Sequence, residues 1–267
     1  SKYMNKIIEF NEKERWVRVQ PGLVRDELNA QLSKYGLHFS PDPATANRAN
    51  VGGMVGNNSS GTKSILFGKT VDHILEGRVL LAEGEELNLK EFTTEEYNKK
   101  AQQRNREGEI YSKFKDIVNT HADEIRTRFP KVMRRVGGYN LDEFVYTDRW
   151  NLAKLITGSE GTLALTLELK LNLDPLPRYK SVVVVHYADL LEAIRSVPPM
   201  LKYKPSAVEI IDRTVLRLSA ENLTTKMHCH FIQNDPAAIL IVEFYGESAA
   251  DVIKRPNDMI EELKSLG

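Results

Sequence analysis

Residues 40–61 read SPDPATANRANVGGMVGNNSSG, a stretch of prolines, glycines and short polar side chains with almost nothing to build a core. Gly52, Gly53, Gly56 and Gly61 allow close backbone approaches that a Cβ would block. Asn57, Asn58, Ser59 and Ser60 add short hydrogen-bonding side chains. Such a run suits a backbone wrapped around a polar, phosphate-bearing ligand. It reads equally as a surface connection, because long structureless loops in compact domains are either functional or disordered. A second run, Thr157-Gly158-Ser159-Glu160-Gly161-Thr162, follows about a hundred residues later. Alone it is a tight turn into the next strand. Paired with the first run, it can close on the same ligand. Neither run contains G-x-G-x-x-G or Gly-Lys-Ser/Thr, so the Rossmann and P-loop patterns are not met.

Metal chemistry has less to stand on. On a strand, His228 and His230 of His228-Cys229-His230 share a face, but no third ligand is evident and no metal is assigned. His38, His73, His121 and His186 are isolated in the sequence and read as packing or surface residues.

The elements that must position these runs are partly legible. Lys6–Phe10 and Trp16–Gln20 read as a hairpin turning at Asn11–Arg15. Pro21 opens a helix whose apolar face carries Leu23, Val24, Leu28, Leu32 and Tyr35, and Gly36 stops it. Asp72–Leu87 reads as strand, turn and strand, with Glu83-Gly84-Glu85 as the turn. A helical insertion is expected from Glu86. Thr93 and Glu96 form a capping box, and Ile110, Phe114, Ile117, Val118, Ile125 and Phe129 recur at helical spacing as far as Pro130. Its charged residues read as a solvated face. In Leu163–Leu173 every second residue is leucine, the pattern of a strand with one buried face. Asp174-Pro175-Leu176-Pro177 reads as a domain boundary. Beyond it, Ser181–His186, Ala207–Ile211 and Ile239–Tyr245 read as strands. Helices follow from Asp189 to Val197, where Pro198-Pro199 ends the first, then from Asp212, and over Ile253–Leu266. This order suggests an open antiparallel sheet with helices on one face.

Composition bounds the partners. The chain has 267 residues, with 37 Lys+Arg against 37 Asp+Glu. A dominant nucleic-acid or anionic-membrane surface is therefore not indicated, and affinity for an acidic ligand must come from local geometry. Cys229 is the only cysteine, which excludes an internal disulfide and a cysteine-held iron–sulfur cluster. A reducing, cytoplasmic compartment fits. No apolar run reaches the length of a membrane span, and no signal peptide is visible. The start at Ser1 and the helix running into the last residues read as a piece of a longer polypeptide.

Several segments, in order, resemble the FAD-linked oxidase family with the p-cresol methylhydroxylase-type FAD-binding fold. They are Val19-Gln20-Pro21-Gly22, Leu28-Asn29, Gly36-Leu37, Pro41-Asp42-Pro43-Ala44-Thr45, Gly52-Gly53-Met54, Asn57–Gly61, Phe67-Gly68-Lys69-Thr70 and Gly158–Thr162. The likeness is closest to the D-lactate, glycolate and D-2-hydroxyglutarate dehydrogenase branch. Arg134-Arg135-Val136-Gly137-Gly138-Tyr139-Asn140-Leu141-Asp142 is similar to a segment of the same branch, in particular of long bacterial members fused to an iron–sulfur module.

The resemblance implies FAD as cofactor and an α+β fold. Residues 1–177 would be the second subdomain of the FAD-binding domain, with a helical insertion at 86–135. Residues 178–267 would begin an α+β, ferredoxin-like oxidase cap. Pro41, Thr45, Gly52, Gly53, Asn57, Ser59, Gly61, Gly158, Gly161 and Thr162 would line the cofactor. Arg134 or Arg135 would pair with a substrate carboxylate, which a guanidinium binds bidentately; a role in covering the insertion is the alternative. The implied reaction is oxidation of a D-2-hydroxy acid, with electrons passed to an iron–sulfur module or a quinone, in the cytoplasm or at the inner membrane surface. The family's earlier glycine-rich pyrophosphate segment and its later histidine motif have no counterpart here. The piece alone is therefore expected to hold FAD poorly and to be inactive, and its catalytic residues stay unassigned. A flavin reductase of cell-wall precursor synthesis and a non-catalytic module docking through Thr93–Phe129 are the other readings.

Overall fold

The computed structural model describes residues 2–265. The chain divides into two compact units. The first runs to Gly61 and resumes over Phe67–Leu176; the second is Pro177 onward, together with Thr62–Leu66.

The first unit opens with the hairpin β1 (Ile7–Asn11) and β2 (Trp16–Val19), then helix α1 (Arg25–Leu32), strand β3 (Leu37–His38) and helix α2 (Val51–Asn57); the short α3 (Ser64–Phe67) falls, but for Phe67, in the segment that belongs to the second unit. β4 (Ile74–Leu80) and β5 (Glu86–Thr93) precede α4 (Thr94–Ala101), α5 (Arg106–Thr120) and α6 (Ala122–Arg128). β6 (Arg149–Asn151), α7 (Ala153–Ile156), β7 (Leu165–Asn172) and β8 (Asp174–Pro175) complete it. Six strands form an antiparallel sheet in the order β1-β2-β7-β4-β5-β6, and β3 pairs with β8.

β7 lies at the centre of this sheet. Leu169 and Leu171 pair with Val19 and Val17 and are buried with them. The opposite face carries a ladder of ion pairs: Arg18 and Lys170 converge on Glu76, and Arg78 joins Glu168 and Glu86. Burial alone would raise the Glu76 carboxyl. Hydrogen bonds and charge from Arg18 and Lys170 outweigh it and hold the carboxyl below the usual range. A lowered folded value gives stability that is present above the unfolded value of about 4.3 and is lost as pH falls through the folded one. Glu76→Gln is therefore expected to be less stable than the native protein at neutral pH, with the difference closing as pH falls below the usual carboxylate range, read by urea unfolding at several pH values. A difference that stays constant with pH would contradict the ladder's role.

The leucine alternation is broken where the sequence does not show it. Arg78 pairs with Glu168 and Val79 with Thr166, so Leu167 is an extra residue on β7. Such a bulge reverses the faces of the residues before it. Leu163 and Leu165, expected in the core, are 36% and 66% exposed.

Other boundaries also move. α1 begins at Arg25 rather than beside Pro21. The backbone between them is committed elsewhere: Gly22 N donates to Met4 O, and Pro21 and Leu23 carbonyls accept from Gly52 and Val51. Gly36 ends the following turn in the left-handed region, φ 67°. The insertion's helices start at Thr94, not Glu86, because residues 86–93 are the sheet strand β5. The Thr93–Glu96 capping box is present. The apolar recurrence that follows is two helices broken at His121; Phe114, Val118 and Ile125 are buried while Ile117 faces solvent.

The second unit holds β9 (Tyr179–Tyr187), α8 (Leu190–Leu201), β10 (Ala207–Asp212), α9 (Arg213–Glu221), α10 (Leu223–Lys226), β11 (Ala238–Gly246) and α11 (Ala249–Ser265). Its antiparallel sheet has the order β10-β11-β9, and Leu240, Val242 and Phe244 pack with Ala193, Met200 and Met259 of the helices. α8 continues through Pro198 and Pro199, contrary to the expected stop. Each proline gives up an N–H that the helix would bond four residues back, but Met200 beyond them is fully buried, and this packing holds the last turn against the loss. His228–His230 lies in turns after α10, not on a strand, so the shared-face geometry for a metal is not there. Leu266, expected to end the last helix, lies outside the described residues. Both units are mixed α+β.

Candidate functional site

α2 sits within the segment expected to be structureless. Asn50 caps it by accepting from Gly53 N at 2.7 Å, and Val51, Met54 and Val55 face the core. The glycines are left on the other side. A Cβ on Gly52 would stand 2.5 Å from Pro21 Cβ, so this glycine is what lets the helix dock on Pro21. Asn58 ends the helix in the left-handed region, φ 51°.

The two glycine runs are joined. Gly158 N donates to Val55 O at 2.8 Å and Glu160 N to Gly56 O at 2.9 Å. Gly158, Glu160 and Gly161 all have left-handed backbones, with φ of 87°, 52° and 73°. That sequence of turns folds Ser159–Thr162 back over α2. A cleft of about 370 Å³ results. Asn50, Gly52, Gly53 and Gly56 form one wall and Ser159 and Gly161 another. Ala164, Leu165 and Leu167 supply an apolar side, with Met4, Pro21 and Ile156 at its margins. The bulge that expels Leu165 from the core thus serves the cleft. A polar glycine wall opposite exposed leucines suits a flat, part-apolar ring system carrying a polar tail, and the volume is at the small end for ligand pockets.

Of the expected cofactor residues, the cleft brings together Gly52, Gly53 and Gly161. The others surround it as structure. Asn57 Nδ2 donates to Glu160 Oε1 and Ser59 Oγ to Asn57 Oδ1, both at 3.1 Å. Thr162 Oγ1 donates to Ser159 O at 2.6 Å and lies 2.9 Å from the Tyr139 hydroxyl. Gly158 is buried behind the wall. Gly61 sits directly against the Asp42 backbone, where no side chain fits. Pro41 O accepts from Arg25 Nε, and Thr45 O closes the exposed turn before α2.

Arg134 and Arg135 border a different, apolar groove of about 700 Å³ with Phe129, Pro130 and Val132. Arg135 is buried and its guanidinium is held by both oxygens of Asp142 and by Asn140. His73 is not isolated. It is buried with Nε2 2.7 Å from Phe67 O and 3.2 Å from Ser40 Oγ, and Ser40 donates to Asp174. Asn140 and Asn58, both fully buried, meet behind the cleft. Nothing in spacing or composition marks Asn140 as part of the site. Among the described residues, no group of three or more His, Cys, Asp and Glu side chains could hold a metal, and no helix is long and apolar enough to cross a membrane.

The chain is a member of the FAD-linked oxidase family. Residues 1–90 match the FAD binding domain and residues 176–267 the C-terminal domain of FAD linked oxidases. The chain is similar to the D-2-hydroxyglutarate dehydrogenase of Pseudomonas putida, 37% identical over 99% of this chain but 27% of that protein. It is similar to Glycolate oxidase subunit GlcD of Bacillus subtilis at 25% identity, covering 45% of that protein. The chain therefore spans about a quarter to a half of the length of these relatives. In fold it is similar to alkyldihydroxyacetonephosphate synthase, with a TM-score of 0.66 at 18% identity, over 99% of this chain and 41% of that one.

Proposed function

We propose that this chain supplies part of the FAD site of a dehydrogenase that oxidises a D-2-hydroxy acid of the 2-hydroxyglutarate, lactate and glycolate class. The observation that carries this reading is the cleft, in which two glycine runs distant in sequence are hydrogen-bonded into facing walls. The family membership and the relatives' printed activities support it. Residues 1–177 then act as the second FAD subdomain, with the helices that begin at Thr94 as its insertion, and 178–267 begin the oxidase cap.

In this reading Gly52, Gly53 and Gly161 lie against the cofactor and Leu165 and Leu167 flank its apolar part. Asn57, Ser59 and Thr162 hold the rim, while Pro41, Thr45, Gly61 and Gly158 fix the backbone around it. FAD supplies the hydride acceptor; protein groups bind, orient and tune it. Arg134 or Arg135, which border the groove beside Phe129, is the proposed partner of the substrate carboxylate. An iron–sulfur module or a quinone is the proposed electron acceptor. A cytoplasmic location, peripheral at the inner membrane for a quinone, goes with it.

The full-length polypeptide titrated with FAD is expected to take up stoichiometric flavin, and its visible absorbance to bleach anaerobically on adding D-2-hydroxyglutarate, D-lactate or glycolate. The chain alone is expected to bind FAD more weakly, because a cleft of about 370 Å³ encloses only part of a dinucleotide. A full-length protein that takes up no flavin sinks the reading. Bleaching by a nicotinamide and by no hydroxy acid would instead favour the reductase.

A further inference from the structure

The second wall of the cleft hangs on one peptide unit, Thr157–Gly158. Its N–H, on Gly158, donates to Val55 O of α2. Its carbonyl, on Thr157, accepts from Asn140 Nδ2 at 2.7 Å. The plane of this peptide is therefore fixed from both sides, and the left-handed turns of Gly158, Glu160 and Gly161 propagate its orientation to the wall. Gly158 is demanded by its left-handed backbone, φ 87°, more than by space: a Cβ there would meet Asn140 Nδ2, Asn58 Cβ and Gly138 O at 3.5 Å, an ordinary contact distance.

Asn140 uses its whole amide in this arrangement. Nδ2 also donates to Lys154 O at 3.2 Å. Oδ1 accepts from Arg135 Nη1 at 3.2 Å and from Asn58 Nδ2 at 3.5 Å. Asn58 in turn accepts from Val71 N at 2.9 Å, which ties the end of α2 to the start of the central sheet. Arg135 is clamped by Asp142 and stacked over Phe129. A single fully buried side chain thus links both glycine runs to the arm that leaves the helical insertion. Only an amide provides two donors and two acceptors in one plane at this size. A buried network of this kind is rigid when every member is satisfied, and it is costly when one is not.

We propose that Asn140 is a positioning residue for the cofactor cleft: through Thr157 O it sets the orientation of the Ser159–Thr162 wall, and so the flavin affinity, without touching flavin. The proposal rests on the flavin reading of the cleft for its affinity arm. Asn140→Asp keeps the size and places a carboxylate oxygen where Nδ2 faced two carbonyls. Asn140→Ser removes the amide without that repulsion and carries the test if the aspartate variant does not fold. Tyr97→Phe is the stability control. It loses a buried hydroxyl bond to Tyr111 O in the insertion, which lines no part of the cleft.

The experiment measures flavin dissociation constants and amide hydrogen exchange on the full-length polypeptide. The Asn140 variants are expected to weaken flavin binding about tenfold or more, the scale of one lost buried hydrogen bond with its partner left unsatisfied. Exchange at Gly158 and Ser159 should speed up by a similar factor while β4 and β7 stay protected. Tyr97→Phe should change neither. Unaltered flavin affinity in both Asn140 variants, or equal weakening in Tyr97→Phe, overturns the proposal. Wild-type protein without flavin overturns the flavin reading instead. Exchange at Gly158 then decides the positioning role alone, unchanged exchange rejecting it.

Discussion

Gly52→Ala is expected to damage both stability and flavin binding, although alanine is the better helix former. In an exposed helix interior this exchange favours the helix by about 1 kcal/mol. Here the new Cβ would stand 2.5 Å from Pro21 Cβ and 3.0 Å from Pro21 O. The proline ring is rigid and buried, so it cannot rotate aside. α2 cannot retreat either, because Val51, Met54 and Val55 on its far side are fully packed and Gly52 N is bonded to Pro21 O at 2.8 Å. Overpacking of this kind costs roughly 1–3 kcal/mol, which exceeds the propensity gain. The displacement opens the cleft wall, so flavin affinity should fall about tenfold or more, a shift of about 1.4 kcal/mol or above. Gly56→Ala is the matched control. Its Cβ would make only an ordinary contact with Glu160 Cα at 4.0 Å, and a small gain in stability of about 0.5–1 kcal/mol is expected. Urea unfolding and flavin titration of the two variants side by side check this. A Gly52→Ala protein as stable as the Gly56→Ala protein, and binding flavin as tightly as the native one, would show that α2 is not pinned as described.

The contrast between these two glycines also shows what sequence reading can reach. Both belong to one conspicuous run, and the run's composition points to close backbone approach. Composition does not say that the run contains a helix. That follows from three residues, Val51, Met54 and Val55, at a spacing too short to stand out against four glycines. The second run, Gly158–Thr162, was legible as a turn, but its partnership with the first depends on two backbone hydrogen bonds that leave no trace in residue types. Periodicity carried the hairpin, the central strand and the insertion's capping box. It misled at Leu163 and Leu165, because a bulge costs only one residue and leaves the alternation intact on paper. Of the two, Leu165 lies on the apolar side of the cleft, beside Ala164 and Leu167. Asn140 lies in a segment that carries the family resemblance, but its role is not legible there: a buried amide is defined by what surrounds it, and its partners Asn58, Arg135, Lys154 and Thr157 lie at separations of 82, 5, 14 and 17 residues.

The insertion, read from sequence as helical with a solvated charged face, buries its aromatic side in the core of the first unit, and this sets the largest expected loss. Phe144 is 2% exposed. Its ring packs edge-on against Phe114 at 4.8 Å and Trp150 at 5.6 Å, and Trp150 in turn contacts Tyr97 at 5.0 Å. Trp150 lies on β6, which pairs with β5, so this cluster fastens the insertion to the sheet. Phe144 also follows directly on Asp142 and Glu143, which hold Arg135 and Lys154. Truncating it empties the centre of the cluster and loosens the arm that carries Asn140. Phe144→Ala is expected to lower the unfolding free energy by about 3–5 kcal/mol. Because the chain forms two units, the loss should appear in the transition of the first unit and leave the second unit's transition in place. Flavin affinity should fall as well, since the clamp on Thr157 O is reached through the same arm, and limited proteolysis should cut first within residues 94–128. A loss below about 1 kcal/mol, typical of a surface site, would mean that the insertion does not depend on this ring. Intact flavin affinity in a variant that has lost the full expected stability would separate the insertion's packing from the cleft.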